Sequence, residues 1–227
     1  MSAYDILSRR GVTRLCHFTK LQSFIHIITS PQGILPSNSI RQDTKNTIDN
    51  ARYDGELDYI CCSIQYPNSW FLNRAVERNL DKIFKDFIVL YIDPSILNER
   101  EAKYCPCNSS RENGTYICDD MGSIDSIFSN AVRTFRYSRP SKMLQCCPTD
   151  GQAEILIKRN IPCRYITGIA VGNVDIALRV SGILELFDIK SIPIYVAPDV
   201  LTTRWSNIIK NGECPTEVLF NHHSKEV

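Results

Sequence analysis

Several features that are common in proteins are missing from this sequence, and each absence removes a class of function. No apolar run of about 18 residues occurs, which excludes a membrane-spanning helix. The first residues, Met1 to Asp5, show no basic region followed by an apolar stretch, so we expect no secretory signal. The net charge is only +1, so any attraction to nucleic acid must come from a local basic patch.

The short motifs of several enzyme classes are missing as well. The sequence has no G-x-x-x-x-G-K-S phosphate loop and no G-x-G-x-x-G turn after a strand. It also has no nucleophile elbow for Ser-His-Asp chemistry. Only four histidines are present, and two of them, His222 and His223, lie in the tail, so the sequence predicts no histidine-rich metal cluster.

The composition is that of an ordinary globular chain. Hydrophobic residues make up 43% of the 227 residues and charged residues 22%, which is enough apolar surface to form a normal core. Predicted strands and helices mix without a regular βαβ rhythm. We therefore expect an α+β fold in a single domain, residues 1–227, with a polar tail from about residue 203.

Ten cysteines are a high count. Without a secretory signal we expect a cytoplasmic protein whose cysteines stay reduced. Several fall in loop-like sequence and leave open a zinc site, although C-P-C is not the usual C-x-x-C knuckle and the spacing is irregular. These are Cys105, Cys107, Cys118, Cys146 and Cys147.

Hydrophobic periodicity and turn residues predict the order of the elements. In chain order they are a short helix at 1–11, a strand at 12–18, a helix at 20–28 capped by Thr19, a polar surface loop at 37–54, a strand at 58–64, a helix at 69–83, a central strand at 87–92, an irregular loop at 101–119, a helix at 122–135, a strand from 152, a core strand at 165–171, a helix at 175–187 and a last strand at 192–196.

The stretch 150–158 is the most informative part of the chain. A polar turn runs directly into a short strand, on which Gln152, Glu154 and Lys158 share one face because side chains alternate with period two. Ala153 and Ile155 take the other face, toward the core. The pattern places a glutamine and a glutamate side by side at the start of a strand, where a carboxylate can reach a hydroxyl group in a cleft. A half-exposed edge strand is the plainer interpretation.

A second polar region precedes this strand, where basic and aromatic residues alternate. Such a mixture binds single-stranded nucleic acid by charge and base stacking, and it also occurs in ordinary solvated loops. The residues are Arg133, Phe135, Arg136, Tyr137, Arg139 and Lys142.

Three groups of residues, taken in order, resemble the motifs of ADP-ribosyltransferases, and more closely those of the DarT family of DNA-modifying toxins. They are Arg-Leu-Cys-His-Phe-Thr at 14–19, Asn-Ala-Arg-Tyr-Asp-Gly at 50–55 with Ser-Ile-Gln-Tyr-Pro-Asn at 63–68, and Gln-Ala-Glu-Ile-Leu-Ile at 152–157. The second group is similar to the branch of the family that modifies guanine rather than thymine. The loop at 101–119 and the tail match nothing in the family.

The resemblance implies an ADP-ribosyltransferase-like fold with mixed or antiparallel sheets, flanking helices and a cleft for NAD as co-substrate, with no metal. Glu154 would bond the 2′-hydroxyl of the nicotinamide ribose, stabilise the oxocarbenium-like transition state and take a proton from the base. Arg52 would act in catalysis and contact NAD or the base. Further NAD contacts would come from His17, Thr19 and Ser63, and substrate contacts from Gln152, Arg136, Tyr137 and Arg139.

The resemblance further implies a toxin that acts on single-stranded DNA, because a base inside a duplex is out of reach. A cognate antitoxin that removes the modification would be its partner. Three other functions stay open: transfer to RNA or protein, a non-catalytic nucleic-acid-binding module with zinc, and a glycosidase-like hydrolase. The last needs a second carboxylate about 5–10 Å from Glu154, and Asp150 on its turn is poorly placed for that role.

Overall fold

The computed structural model describes residues 2–40, 52–78, 86–132, 137–189 and 192–221. Its helices are α1 (Ala3–Arg9), α2 (Leu21–Thr29), α3 (Ser69–Arg78), α4 (Ile124–Ile127), α5 (Val174–Leu186) and α6 (Arg204–Lys210). Its strands are β1 (Leu15–Lys20), β2 (Tyr59–Ile64), β3 (Phe87–Ile92), β4 (Ala102–Cys105), β5 (Ala131–Val132), β6 (Tyr137–Ser138), β7 (Glu154–Lys158), β8 (Ile166–Val171), β9 (Ile194–Val196) and β10 (Val218–Leu219).

One large mixed sheet organises the fold, which confirms the α+β prediction. In the part of the chain that the structure describes, eight strands follow one another in the order β10-β9-β8-β3-β1-β2-β7-β4. Neighbours are antiparallel except for β8 and β9, which are parallel. Strands β5 and β6 form a separate two-stranded ribbon.

Both faces of the sheet are covered, and β3 shows why its sequence is continuously apolar. Ile88 and Leu90 belong to the larger core on one face, whereas Val89 and Tyr91 belong to a second cluster on the other. All six residues of β3 are buried. A strand that is covered on both sides cannot alternate between apolar and polar residues, so the predicted central strand is confirmed.

The sheet divides between β1 and β2. Strand β1 pairs with β3 along all six of its residues, but it meets β2 only at Leu15–Ile64 and Cys16–Ser63. Strand β2 instead pairs with β7 over five residues. The two strands therefore separate beyond Cys16, and this gap opens a cleft between two halves of the sheet.

Three predictions of local structure are wrong: one loop, one helix and one helix cap. The irregular loop predicted at 101–119 contains β4, which pairs with β7 through Cys105–Glu154 and three further pairs. Of the helix predicted at 122–135, the described residues show only the single turn of α4, and Ala131 and Val132 form β5; residues 133–136 lie outside the described residues. Thr19 does not cap α2, because Lys20 is the N-cap residue and makes no side-chain capping bond; Thr19 belongs to β1.

Residues 204–219, part of what the sequence predicts as a polar tail, fold against the sheet. Helix α6 buries Trp205 and Ile209 in the second apolar cluster, and β10 adds a strand beside β9. The helix predicted at 69–83 is described only as far as Arg78, and residues 41–51 of the predicted surface loop lie outside the described residues. In the described ranges, no helix is both long enough and apolar enough to cross a bilayer.

Candidate active site

The gap between β1 and β2 forms a cleft of about 500 Å³. Such a volume lies in the range of small-molecule sites, which is roughly 300–1,000 Å³. Five residues that the sequence singles out line this cleft together, although they come from four different segments of the chain. They are His17, Thr19, Arg52, Ser63 and Glu154.

Glu154 is the first residue of β7 and lies opposite Ser63 on β2. It is only 5% exposed, although one side of it lines the cleft. The backbone N–H of Ser109 donates to its Oε2 at 2.8 Å, and Nδ2 of Asn108 reaches its Oε1 at 3.4 Å. Burial raises the pKa of Glu154 to about 7, although the hydrogen bonds from Ser109 oppose the rise. The carboxyl group is therefore able to hold or release a proton near neutral pH.

Arg52 is held by the turn that it begins. Its Nε donates to Asp54 at 3.0 Å, Nη1 donates to the carbonyl oxygen of Tyr59 at 3.0 Å, and Nη2 donates to that of Glu56. Its φ of 34° lies in the left-handed region, which is uncommon for a residue with a side chain. These contacts fix the guanidinium on the wall of the cleft with its main donors directed at protein oxygens.

A serine connects this arginine pair to Glu154. The hydroxyl of Ser109 donates to Oδ2 of Asp54 at 3.1 Å, while the backbone N–H of the same residue holds Glu154. Arg52, Asp54, Ser109 and Glu154 therefore form one continuous chain of contacts. Sequence reasoning missed Asn108 and Ser109, because they lie in a segment without a recognised motif. The sequence could have identified Asp54, since this residue belongs to the Arg-Tyr-Asp-Gly group.

His17 bridges the gap between the separating strands. Its Nδ1 lies 3.0 Å from the carbonyl oxygen of Cys61 on β2. A carbonyl oxygen only accepts, so Nδ1 carries the proton and Nε2 is left as an acceptor. Burial lowers the pKa of His17, although the bond to Cys61 opposes this, so the ring is neutral at neutral pH. Thr19, two residues further along β1, is buried and lines the same cleft.

The loop before Glu154 is wedged between aromatic rings. A Cβ atom on Gly151 would lie 2.8 Å from both Trp70 and Trp205, so only glycine fits there. Trp205 is fixed in turn by a hydrogen bond of 2.9 Å from Nε1 to Ser69. Gln152 is half-buried, and its backbone N–H donates to Oδ1 of Asp150 at 2.9 Å. In the described structure, Gln152 is not among the residues that line the cleft.

The predicted substrate-contacting arginine, Arg139, is occupied by its own loop. Its guanidinium donates to the carbonyl oxygens of Leu144 and Cys147 at 2.6 and 2.8 Å, and it reaches the hydroxyl of Thr149 at 3.3 Å. These contacts brace the segment that leads to Gly151. Arg136 lies outside the described residues, and for Tyr137 only the backbone is described, where it pairs with Val132.

Comparison with known proteins identifies the family. A family model described as "ssDNA thymidine ADP-ribosyltransferase, DarT" matches residues 16–202. This chain belongs to the DarT family. The match spans the two strands that separate, the Arg52 turn and Glu154. No curated protein sequence matches the chain.

Solved DarT structures share the fold. DarT from Thermus sp. 2.9 in complex with ADP-ribosylated ssDNA is 15% identical, with a TM-score of 0.62 over 83% of this chain and 96% of that one. The same protein in complex with NAD+ has a TM-score of 0.58 at 15% identity, over 80% and 93%. DarTG from Thermosipho africanus in complex with ADP-ribose gives 0.55 at 17% identity, over 83% of this chain and 51% of that one.

Membership of the DarT family confirms the predicted enzyme class: the chain is an NAD-dependent ADP-ribosyltransferase of single-stranded DNA. The expected relation to the guanine-modifying branch is not confirmed, since the family description names thymidine.

The cysteines that left a zinc site open are mostly buried in this DarT chain. Cys105 and Cys107 are buried, with their sulfur atoms 3.8 Å apart, and the Sγ atoms of Cys146 and Cys147 are 3.9 Å apart. Cys118 is exposed. Among the residues that the structure describes, no three cysteine, histidine or acidic side chains come together as a metal would require.

Proposed function

We propose that this DarT chain is a toxin that transfers ADP-ribose from NAD to a base of single-stranded DNA, with Glu154 as its catalytic residue. The observation that carries the proposal is the placement of one buried carboxyl group on the cleft, with a pKa near 7. A carboxylate with this pKa is ionised in a sufficient fraction to stabilise positive charge, and it is basic enough to accept a proton.

The residues of the cleft fit NAD. Sugar hydroxyl groups donate hydrogen bonds, and the cleft offers acceptors for them in Glu154 and in Nε2 of neutral His17. Thr19 lines the same cleft, and its hydroxyl is the proposed contact to the nicotinamide amide. Ser63 lies opposite Glu154 and lines the cleft, so it is retained as an NAD contact.

The chemical step then follows from the charge on Glu154. The carboxylate accepts a hydrogen bond from the 2′-hydroxyl of the nicotinamide ribose. The bond between C1′ and the nicotinamide nitrogen breaks, and its electron pair leaves with neutral nicotinamide. A nitrogen of the base attacks C1′, and its proton passes to Glu154. The negative charge beside the sugar stabilises the positive charge that develops during this exchange.

Arg52 enters this mechanism as a positioning residue. Its Nε and both terminal nitrogens bond protein oxygens, so its effect reaches Glu154 through Asp54 and Ser109. Gln152 is the proposed contact to the base, since it precedes Glu154 on the loop that Trp70 and Trp205 hold.

We infer guanine as the favoured base, supported by the Arg-Tyr-Asp-Gly group at 52–55 and the Ser-Ile-Gln-Tyr-Pro-Asn group at 63–68. Thymine is the alternative, and the family description favours it. A cognate antitoxin that removes the modification is the proposed partner. The DarTG name of the Thermosipho africanus structure supports this pairing.

The test is transfer of labelled ADP-ribose from NAD to single-stranded oligonucleotides that each contain one guanine, thymine, adenine or cytosine. We expect label on the guanine strand from the wild type and none from Glu154→Gln. The exposed Glu185 on α5 supplies the control, Glu185→Gln, which should keep full activity. Label on the thymine strand alone would show that thymine, not guanine, is the modified base. Label only on RNA or protein would overturn the DNA substrate, and NAD cleavage that survives Glu154→Gln would overturn the catalytic assignment.

The toxin role has a separate test in cells. Induced expression of the wild type should stop bacterial growth and place ADP-ribose on DNA, and induced Glu154→Gln should do neither. Growth arrest that persists with Glu154→Gln would show that toxicity does not arise from transfer.

A further inference from the structure

Asn68 lies at the junction between β2 and α3 and is almost completely buried, at 1% exposure. Its backbone N–H donates to the hydroxyl of Ser63 at 2.9 Å. Its side-chain oxygen, Oδ1, accepts a hydrogen bond from the backbone N–H of Phe71 at 3.1 Å. Asn68 therefore caps the first turn of α3, as asparagine commonly does.

The cap fixes the direction of the amide group. Because Oδ1 is committed to Phe71, Nδ2 must point to the opposite side of the amide. That nitrogen is buried and has no hydrogen-bond partner among the described residues. An unsatisfied buried donor destabilises the fold, so its retention calls for a physical reason.

The unpartnered nitrogen lies beside Glu154. Ser63, which holds the backbone of Asn68, is the residue opposite Glu154 in the pairing of β2 with β7. A contact with the side chain of Asn68 lowers the pKa of Glu154 and so opposes the rise that burial causes. The cap of α3 and the proposed catalytic group are thus adjacent.

We propose that Asn68 is a positioning residue of the transfer reaction, in which Oδ1 caps α3 while Nδ2 donates to Glu154 and holds its negative charge at the cleft. The inference rests on the proposed catalytic role of Glu154. It gives α3 a direct connection to the reacting carboxylate, because the residue that starts the helix also orients Glu154. Ser109 holds Glu154 from the loop after β4, and Asn68 holds it from the junction of β2 and α3.

Other groups that face Glu154 must be considered in any pH measurement. Asp54, with its partner Arg52, approaches from the turn before β2, and its negative charge raises the pKa of Glu154. Three thiols feel the charge of Glu154: Cys105 on β4, which pairs with it, and Cys61 and Cys62 on β2. Burial raises the pKa of Cys61 and of Cys62, and the contact with Cys107 together with burial raises that of Cys105, so all three stay neutral below pH 8.

The experiment uses variants that keep the cap and remove the donor. Serine and aspartate cap helices as well as asparagine does, so Asn68→Ser and Asn68→Asp should fold. A matched control exists in Asn173, an exposed asparagine that caps α5 by accepting from Ile176 at 2.9 Å. Asn173→Ser and Asn173→Asp make the same chemical changes at a helix that does not line the described cleft.

Two measurements are made on each protein. The first is the pKa of Glu154 without NAD, from carbon-13 NMR of labelled glutamate carboxyl groups, with Glu154→Gln to assign the signal. The second is the acid limb of NAD cleavage against pH. We expect Asn68→Ser to raise the pKa of Glu154 and the pH of the acid limb by about 0.5–1 unit, because a hydrogen-bond donor is lost. Asn68→Asp should raise both values by more than about one unit, because it also adds a like charge. Neither control should move them.

Each outcome decides the inference. If both Asn68 variants fold and neither the signal nor the limb moves, Asn68 is a helix cap only and the inference is overturned. A loss of thermal stability without a change in the Glu154 titration leads to the same conclusion. If Glu154→Gln still cleaves NAD, the proposed function fails, yet the NMR titration still shows whether Asn68 bonds Glu154. If Asn68→Ser does not fold, Asn68→Asp carries the test.

Discussion

Two buried arginine–carboxylate pairs in the described residues differ in what they hold. The side chains of Arg14 and Glu217 are 14% and 16% exposed, and those of Arg52 and Asp54 are 13% and 2% exposed. Arg52 and Asp54 line the cleft and lie within the stretch that matches the DarT family, residues 16–202. Arg14 and Glu217 lie outside that stretch and away from the described lining of the cleft.

The Arg14 pair fastens the end of the chain to the sheet. Nη1 donates to Glu217 at 2.9 Å, Nη2 bonds the second carboxylate oxygen, and Tyr91 donates its hydroxyl to the same residue at 2.7 Å. The guanidinium also lies 3.8 Å from the centre of the Tyr91 ring. This pair joins two parts of the chain that are 203 residues apart, so we expect it to contribute mainly to stability.

The Arg52 pair serves position instead. Asp54 passes the contact to Ser109, and Ser109 holds Glu154. Among the described residues, no cation forms an ion pair with the carboxylate at the end of this chain, and burial has raised its pKa to about 7. The comparison shows that one buried pair joins two distant parts of the chain, whereas the other is linked through Ser109 to the buried carboxyl group of Glu154.

The largest effect is expected from removing the buried carboxylate of Glu154. Glu154→Gln should lower transfer by on the order of 10³-fold or more, since it removes the group that stabilises the transition state. The same change should stabilise the fold at pH 8. Folded Glu154 binds its proton more tightly than the unfolded chain, whose ordinary value is 4.5, so wild-type stability falls as pH rises from about 4.5 to about 7.

Denaturant titrations from pH 4 to pH 8 measure this effect. The stability difference between Glu154→Gln and the wild type should grow by roughly 3 kcal/mol over that window, for a pKa change from 4.5 to about 7. A difference that stays constant with pH would show that Glu154 is not strained by burial, and the contrast between the two regions would be lost.

The next effect concerns the pair that fastens the tail. Arg14→Met should destabilise the fold by about 3–5 kcal/mol, because it leaves the Glu217 carboxylate buried without its partner. The double variant Arg14→Met with Glu217→Leu should recover most of this loss, since no charge is then stranded. Thermal unfolding of the four proteins of the cycle tests this. Transfer per folded molecule should stay within about twofold, and a large loss of kcat would join this pair to the active site.

A smaller effect is expected at Ser109, which connects Asp54 to Glu154 and has no counterpart among the described contacts of the Arg14 pair. Ser109→Ala removes the hydroxyl and keeps the backbone N–H, so it should lower kcat by about 3- to 10-fold, the worth of one hydrogen bond. Ser109→Thr should restore part of the rate because it restores a hydroxyl. The surface serine Ser126 supplies the control variant Ser126→Ala. Equal rates for Ser109→Ala and Ser126→Ala would remove the serine connection from the mechanism.

The smallest effect is expected from a third arginine, Arg139. Because its guanidinium braces its own loop, Arg139→Gln should leave the salt dependence of DNA binding unchanged and cost about 1–2 kcal/mol of stability. A phosphate contact would instead lower the slope of log K against log salt by about one unit. Binding to a labelled single strand at several salt concentrations decides between the two roles.

The sequence predicted the fold best where its pattern had one physical meaning. A continuous apolar run of six residues is too short for a typical buried helix and favours a strand covered on both faces, and β3 is such a strand. Apolar residues at helical spacing placed α2 and α5 within a residue or two of their observed ends. The helix predicted at 122–135 failed because Ile124, Ile127 and Phe128 are buried from a single turn, and the polar residues that follow give no signal for a ribbon.

The candidate site divides in the same way. Motif order pointed to His17, Arg52 and Glu154, and for His17 and Glu154 an unusual polar residue on an apolar strand is visible in the chain itself. The partners of Glu154 were not visible. Ser109 meets it across 45 residues, and a backbone N–H carries no signature in the sequence. Arg139 is a related case, because composition shows a positive charge but does not show whether carbonyl oxygens already surround it.

The sequence by itself therefore determined that β3 is buried on both faces. It also determined the place of one carboxylate at the start of β7 and the family to which the chain belongs. The tertiary structure decided which residues hold that carboxylate and which arginines are already occupied. The physical reason is separation along the chain. Hydrophobic periodicity is read from residues close in sequence, whereas Arg14 contacts Glu217 across 203 residues. Contacts at such separation depend on how the strands pair, and the separation of β1 from β2 that opens the cleft exists only in the assembled sheet.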